Sequence, residues 1–228
     1  MSDARERILG AIRSSLGRES LSPQQRGALE RRLRSPKPNV QPMRGQIDGA
    51  GRVGLFIAEA ERVNATTRRL ADWAGVPHAI SSYLKASNLP ARIKIAPDPL
   101  LERIPWQREP VLHVARGRGE DGDLVAVTGA FAGIAETGTL MLLSGPMSPT
   151  TLNFLPDVHI VAMPSNRVVG TYEDAWARMR KTFGGGVMPR VVNWITGPSR
   201  TADIEQTLLL GAHGPRHLHI LLIDAEPK

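Results

Sequence analysis

Residues 158–164 read VHIVAMP, a largely apolar run that ends at a proline. A short continuous run of this kind is typical of a strand that is buried on both faces, as the strands of parallel sheets are. Similar runs follow at 191–199, VVNWITGPS, and at 216–224, RHLHILLID. We interpret all three as strands, and the second as one that runs into a turn at its Gly-Pro pair.

The chain from about residue 46 onward alternates between helical and strand patterns. Helical spacing or a favourable N-cap predicts helices at LFIAEAERV (55–63), VPHAISSYLKAS (76–87), TYEDAWARMRKTF (171–183) and TADIEQTLLLG (201–211). Further strands are predicted at ATTRRLA (65–71), ARIKIA (91–96), DLVAVTGAF (123–131) and GTLMLL (138–143). Strands that alternate with helices of about 10 to 15 residues predict an α/β domain with a largely parallel sheet.

The first 45 residues differ from this pattern. Ser2 and Ser22 are favourable caps for two helices, and three prolines and a glycine then break regular structure, at Pro36, Pro38, Pro42 and Gly45. We therefore predict a basic helical arm with a Pro-rich linker at residues 1–45, and the α/β domain at residues 46–228.

The net charge of +7 is concentrated near the N-terminus. Residues 1–70 contain 14 Lys or Arg and 7 Asp or Glu, whereas residues 71–228 contain 15 of each. A nucleic-acid-binding protein usually carries its basic face on the folded domain. It often adds aromatic side chains on which bases stack, and the arm contains no Phe, Trp or Tyr. We therefore expect no nucleic-acid partner, and interpret the arm as solvated or as a docking surface for an acidic protein.

Cysteine is absent from the 228 residues. The chain therefore cannot supply a disulfide, a thiolate nucleophile or a Cys-ligated iron–sulfur cluster or zinc. No apolar window approaches the roughly 18 residues that a membrane span needs, and the N-terminus lacks the apolar core of a signal peptide. These features favour a cytoplasmic protein.

The stretch VTGAFAGIAETGTLML, residues 127–142, places one carboxylate beside a Thr-Gly-Thr turn. Ligands of open α/β sheets bind outside the carboxyl ends of strands, and a carboxylate held in a dry pocket there suits a general base, a nucleophile or an orienting group. We name Glu136 as the candidate catalytic residue; the alternative is that it accepts local N–H bonds and stabilises the turn. The neighbouring candidate ligand-binding residues are Thr128, Gly129, Thr137, Gly138 and Thr139.

A second candidate segment is WITGPSRTADIE, residues 194–205. If a helix starts after the Gly-Pro bend, its free N–H groups could hold a phosphate or carboxylate together with Ser199 and Arg200. Alternatively, the hydroxyls cap that helix, and Asp203 complements its dipole. We predict one pocket, formed by residues 128–139 and 197–203, that binds a small anionic ligand or shapes a partner's active site. Ser199, Arg200 and Asp203 are its candidate ligand-binding residues in this segment.

Three histidines crowd together at His213, His217 and His219. His217 and His219 would share one face of a strand, where two imidazoles could contact a metal. No acidic or cysteine ligand stands near them in sequence, so we favour a structural role and predict no metal site.

Three stretches, in this order and spacing, resemble the LUD-domain family: VTGAFAGIAETGTLML, LPDVHIVAM and ITGPSRTADIEQTLLLGAHGPRHLHILLID. The resemblance covers about residues 50–224 and is to the short members that carry no cluster. It implies the three-layer α/β/α fold of coenzyme A transferases, ribose-5-phosphate isomerases and glucosamine-6-phosphate deaminases. It also implies a role in oxidising L-lactate to pyruvate together with partner proteins that hold iron–sulfur clusters, and no cofactor on this chain.

The same fold relation bears on Glu136. Coenzyme A transferases use a glutamate in a Glu-X-Gly setting as nucleophile, and Glu136-Thr137-Gly138 is similar, but we find neither a second half-domain nor a coenzyme-binding segment. Two alternatives to the lactate role are therefore a stand-alone transferase-like or isomerase-like enzyme that uses Glu136, and a non-catalytic assembly or regulatory protein that recognises partners through residues 1–45.

Overall fold

The computed structural model describes residues 2–17, 20–204 and 207–225, with the side chains of Ser2, Ala50 and residues 202–209 left out. The helices are α1 (Ser2–Ser15), α2 (Pro23–Arg34), α3 (Gly49–Arg62), α4 (Val76–Ala86), α5 (Pro99–Glu102), α6 (Thr151–Phe154) and α7 (Tyr172–Phe183). The strands are β1 (Thr66–Leu70), β2 (Arg92–Ile95), β3 (His113–Arg116), β4 (Val125–Thr128), β5 (Ala132–Ile134), β6 (Thr139–Leu143), β7 (Val158–Pro164), β8 (Val168–Val169), β9 (Val192–Ile195), β10 (Arg200–Ile204), β11 (Thr207–Leu210) and β12 (His217–Ile223).

A parallel sheet of six strands forms the centre of the α/β domain, in the order β1-β12-β7-β4-β2-β3. Every neighbouring pair in it is parallel. The run VHIVAMP is β7, which lies between β12 and β4 and is buried along its whole length. The predicted α/β fold with a largely parallel sheet is therefore confirmed.

Helices and a second sheet cover the two faces of the parallel sheet. On one face, α4 and α5 contribute Ile80, Leu84 and Leu101 to a cluster that also contains Ile160 and Leu221. On the other face, α3 and the second sheet pack against β7 and β12 in a cluster that contains Phe56, Leu140, Val161, Ile220 and Leu222. Burial of both faces explains why the central strands are almost continuously apolar.

The second sheet has four short strands in the order β8-β5-β6-β9. Strands β5 and β6 are antiparallel and joined by the turn that holds Glu136. Helix α7 covers the outer face of this sheet, where Ala175 and Met179 pack against Ile134 and Met141. The sequence predicts several of these strands but not that they leave the parallel sheet to form a layer of their own.

The helix predicted at residues 201–211 is wrong. Residues Arg200–Ile204 and Thr207–Leu210 are the antiparallel strands β10 and β11, in a register that pairs Arg200 with Leu210. The physical reason is that backbone pairing between two segments overrides a weak local helical preference. Because a strand follows Ser199, the N–H groups of a helix start cannot form the anion site that the sequence suggested there.

The N-terminal arm contains the two predicted helices. Ser22 caps α2 in a capping box with Gln25, and large apolar side chains of α1 and α2 are solvent-exposed, with Ile8 at 61% and Leu33 at 72%. In the described part of the chain, no helix is long and apolar enough to cross a membrane. The division of the chain at residue 45 stays a prediction.

The Pro-rich segment after α2 packs against the α/β domain. The backbone N–H of Asn39 donates to Oε1 of Glu173, at 3.1 Å, in the first turn of α7. Gly45 is buried, and a Cβ on it would lie 2.9 Å from the carbonyl oxygen of Gly170. The segment thus covers the N-terminus of α7 and the turn that holds Glu136.

Candidate functional site

Glu136 is buried, with 4% of its surface exposed, in the turn between β5 and β6. Its backbone N–H donates to the carbonyl of Gly170, at 3.1 Å. Its side-chain Oε1 accepts from the backbone N–H of Tyr172, at 3.1 Å, which is the first residue of α7. A carboxylate at the N-terminus of a helix is stabilised by the helix dipole, so the turn and α7 are held together through Glu136.

The second oxygen of this carboxylate, Oε2, is buried and has no hydrogen-bond partner in the described part of the chain. Glu136 lines a cavity of about 330 Å³, which we name the glutamate cavity. Its other walls come from Thr137 in the same turn, from the Pro-rich segment, including Asn39 and Arg44, and from the start of α7, including Tyr172. Buried polar atoms are normally paired, so an unpaired carboxylate oxygen beside a cavity is consistent with a chemical role.

Gly138 ends the same turn and fits it closely against α3. Its φ is +64°, and a Cβ built on it would lie 2.6 Å from Cα of Ala60 and 2.5 Å from the carbonyl carbon of Glu59. Because a side chain cannot occupy this space, the glycine of the Glu-Thr-Gly sequence has a packing function here.

A chain of hydroxyl groups leads away from the glutamate cavity. Oγ1 of Thr137 lies 2.7 Å from Oγ1 of Thr139, which in turn lies 2.7 Å from Oγ1 of Thr196. The hydroxyl of Tyr172 lies 2.9 Å from the same Thr139 atom. Thr196 lines a second cavity, so hydrogen-bonded hydroxyls connect the two.

The second cavity, about 380 Å³, lies at the Gly197-Pro198-Ser199 bend, and we name it the bend cavity. The backbone N–H of Ser199 donates to the carbonyl of Pro215, at 2.8 Å, and its hydroxyl accepts from the N–H of His213, at 3.3 Å. These bonds hold the bend against the loop that leads into β12. Ser199 and Arg200 both line the cavity.

The floor of the bend cavity is formed by two buried polar side chains that were not predicted as site residues, although His159 stood out in the sequence as a histidine on a predicted strand. Asn153 and His159 line the cavity and are 1% and 0% exposed. Oδ1 of Asn153 and Nδ1 of His159 have no hydrogen-bond partner among the described residues. Burial lowers the pKa of His159 to about 4, so its ring is neutral at pH 7.

Thr128 holds the other nitrogen of this ring. Its Oγ1 lies 2.7 Å from Nε2 of His159, and Thr128 is the last residue of β4. Gly129 follows it at the carboxyl edge of the parallel sheet, where a Cβ would lie 2.8 Å from Oδ2 of Asp98. Thr128 therefore contacts a side chain that lines the bend cavity, whereas Gly129 packs against Asp98 and does not line the cavity.

The predicted pocket is divided in the structure. Glu136 and Thr137 line the glutamate cavity, Ser199 and Arg200 line the bend cavity, and no described residue lines both. Thr139 is buried between them, and the side chain of Asp203 lies outside the described residues. The ligand-binding role of all these residues stays a prediction.

His217 and His219 both lie in β12, where alternate residues share one face, but they differ in burial. His217 is exposed, whereas His219 is buried, with its Nδ1 2.7 Å from Oγ1 of Thr66 and its ring stacked on Tyr83 at 4.1 Å between centroids. Burial, with a smaller contribution from the charge of Arg68, lowers the pKa of His219 to about 4. These contacts are those of a packed core residue.

Asn153 and His159 carry little signal of a shared site in the sequence. His159 lies inside an apolar strand, within the family stretch LPDVHIVAM, and Asn153 lies in a short helix before it, so nothing in the sequence links the two side chains. The available signal was a polar residue within the run VHIVAMP, because a buried polar group needs a partner.

Comparison with known proteins agrees with the fold and with the motifs. Residues 124–223 match the LUD domain family model. Over these residues, which are less than half of the chain, the protein is similar to a LUD domain. The resemblance predicted from the sequence is thus confirmed over a segment that contains Glu136, the bend and both floor residues of the bend cavity.

Several relatives are similar to this chain. An uncharacterized protein of Neisseria meningitidis serogroup B is 46% identical over 96 residues, which are 42% of this chain and 40% of that protein. Proteins named lactate utilization protein C are 41% identical over 93 residues in Geobacillus thermodenitrificans and 35% over 102 residues in Bacillus subtilis. Those alignments cover 40% and 44% of this chain and 39% and 42% of the relatives, so the chain matches less than half of their length.

A solved structure shares the fold. The crystal structure of a DUF162 family protein from Deinococcus radiodurans superposes with a TM-score of 0.53 and 23% identity, and covers 78% of this chain and 99% of that chain. The similarity therefore extends beyond the LUD domain match as a likeness of fold.

Proposed function

We propose that this chain is a cluster-free component of a lactate-utilisation system, in which L-lactate is oxidised to pyruvate together with iron–sulfur partner proteins. The observation that supports the proposal is the 33% to 41% identity to several proteins named lactate utilization protein C. The LUD domain match includes the turn of Glu136 and the residues that line the bend cavity.

The sequence suggests how the work is divided between this chain and its partners. The chain has no cysteine for a cluster, and no G-x-G-x-x-G that opens a helix after a strand. Electrons from lactate would therefore pass to groups on the partner proteins, while this chain binds a ligand or completes a partner's site. The exposed apolar and basic surface of α1 and α2 is available for contact with such a partner.

We expect the purified chain to give no turnover of L-lactate with an electron acceptor, and to support turnover when partner proteins from the same host are added. The measurement is pyruvate formation coupled to reduction of a dye, with the partners alone as the control. Sustained turnover by the chain alone would contradict this division of labour.

Glu136 supports a second candidate function, that of a stand-alone transferase-like or isomerase-like enzyme. The specific observation is the buried, unpaired Oε2 beside the glutamate cavity. In such an enzyme the carboxylate would act as nucleophile or general base on an acyl-coenzyme A or a sugar phosphate.

Glu136→Gln separates this function from a structural role. Glutamine keeps the size and the acceptor for the N–H of Tyr172 but removes the charge, so we expect a stability loss of about 0.3 to 1 kcal/mol from the helix dipole. If Glu136 performs the chemistry, activity on the responding substrate should fall by at least about 100-fold.

The stability is measured by urea denaturation and the activity with a panel of acyl-coenzyme A and sugar-phosphate substrates. Glu120→Gln is the matched control, because Glu120 is an exposed carboxylate that pairs with Lys94. No reaction of the wild-type chain with any member of the panel would count against the enzyme function.

A further inference from the structure

The bend cavity combines an open mouth, which carries the positive charge of Arg200, with a polar, buried floor. Arg200 and His213 are exposed at the mouth, and Asn153 and His159 lie buried beneath them. No Asp or Glu is found among the described residues that line the cavity. A concave site with a few convergent polar groups is the usual form of a small-molecule site, and this charge favours an anion.

The two unpaired atoms of the floor define what can bind there. Oδ1 of Asn153 is a hydrogen-bond acceptor. When the hydroxyl of Thr128 donates to Nε2 of His159, Nδ1 of the neutral ring carries the proton and is a donor. The floor then presents one donor and one acceptor. A single hydroxyl group within reach of both atoms would satisfy both, because it can accept one hydrogen bond and donate another.

The mouth supplies the complementary contact. The guanidinium of Arg200 can bind a carboxylate through two parallel N–H bonds, and the bend is held in place by the bonds of Ser199 to Pro215 and His213. A ligand that has a carboxylate next to a hydroxyl-bearing carbon would place its charge at the mouth and its hydroxyl at the floor.

We propose that the bend cavity is a binding site for a small 2-hydroxy carboxylate, with Arg200 contacting the carboxylate and Asn153 and His159 contacting the hydroxyl. This inference rests on the proposed role in lactate utilisation, and it places the binding of the ligand in the bend cavity. Both floor atoms are shielded from solvent, so the ligand reaches them through a small movement of the side chains above. Thr128 is a positioning residue, because it acts through the ring of His159.

The site distinguishes its ligand from close analogues. A 2-oxo acid offers only an acceptor at the same carbon, so it leaves Oδ1 of Asn153 unpaired. Propionate has the carboxylate and the carbon skeleton of lactate but no hydroxyl, so it leaves both floor atoms unpaired. Sites built to bond a hydroxyl reject analogues that lack it.

The test is isothermal titration of the full-length chain with L-lactate, pyruvate and propionate. We expect lactate to bind at least ~10-fold more tightly than propionate, with pyruvate between them. Asn153→Leu should remove most of the preference for lactate over propionate. Arg200→Gln, at an exposed position, should weaken lactate and propionate alike.

Arg92→Gln is the matched control for Arg200→Gln, since Arg92 is an exposed arginine of β2 that does not line the bend cavity. Equal binding of lactate and propionate by the wild-type chain would overturn the inference, and that comparison needs no variant. So would the absence of lactate binding at up to about 10 mM, ten times the upper end of ordinary KM values.

The outcome is separable from that of the proposed function. Lactate oxidation with partner proteins but without lactate binding by this chain would overturn the site and leave the role standing. Selective lactate binding without turnover in the presence of partners would support the site and contradict the role.

Discussion

Gly138→Ala is expected to lower the free energy of unfolding by about 3 kcal/mol or more, because two unfavourable effects coincide. The residue has a left-handed φ of +64°, which costs an alanine about 1 to 2 kcal/mol. The added Cβ would also lie 2.6 Å from Cα of Ala60. Helix backbone cannot give way as a flexible side chain can, so the turn or α3 must shift.

Gly54→Ala is the matched control for this substitution. Gly54 lies exposed in the middle of α3, and a Cβ on it meets no atom within 4 Å. Alanine there should stabilise the protein by about 0.5 to 1 kcal/mol, because it reduces the conformational entropy of the unfolded chain. Both variants are compared by urea denaturation, and equal stabilities would contradict the packing described for the turn.

The result also bears on the Glu-Thr-Gly sequence. Gly138 matches the glycine of the Glu-X-Gly setting in coenzyme A transferases. The lack of space around this residue explains the glycine without any catalytic role. If Gly138→Ala weakens folding as expected, the glycine gives no support to catalysis by Glu136. Only the unpaired carboxylate oxygen then supports a chemical role for that residue.

His159 and His219 are each expected to lower the free energy of unfolding by about 2 kcal/mol when the pH falls from 7 to 5. Both rings have a folded-state pKa of about 4, whereas an unfolded histidine has a pKa of about 6.5. Between these values the unfolded chain binds more protons than the folded protein, so acid favours unfolding.

The direction and the pH window follow from these pKa values. Well above about pH 6.5 both rings are neutral in the folded and the unfolded state, and their contribution to stability does not change with pH. The loss of unfolding free energy grows as the pH falls through about 6.5. It levels off below about pH 4, where the folded rings also become protonated. Stability therefore rises with pH over this interval.

His219→Gln isolates one of the two contributions. Glutamine does not titrate, so the variant should lose about 2 kcal/mol less than the wild type between pH 7 and pH 5, whatever its absolute stability. The measurement is chemical denaturation of both proteins at several pH values. The carboxylates are the same in the two proteins, so their contribution cancels when the unfolding free energy of the variant is subtracted from that of the wild type. Parallel curves for the two proteins would show that His219 is not buried in the neutral form.

Local sequence determined most of the regular elements and the resemblance to the LUD domain family. The apolar run of β7, the cap of α7 at Thr171 and the helical spacing of α4 are recognisable because each signal lies within a few residues. Binary patterning of this kind reports which faces are buried, and alternation of strands and helices then restricts the fold to an α/β sheet. The resemblance to the LUD domain family was likewise identifiable from contiguous motifs.

The tertiary structure alone decided how the candidate residues are grouped. β6 pairs with β9, which comes much later in the chain, and the packing of this second sheet leaves Glu136 and the Gly-Pro-Ser bend in separate cavities. The strands β10 and β11 replace a predicted helix because they pair with each other. Asn153 and His159 become a cavity floor only when α6 and β7 are packed together. A sequence pattern records which side chains are buried, but which distant groups they meet depends on pairing and packing, and these are set by the whole chain.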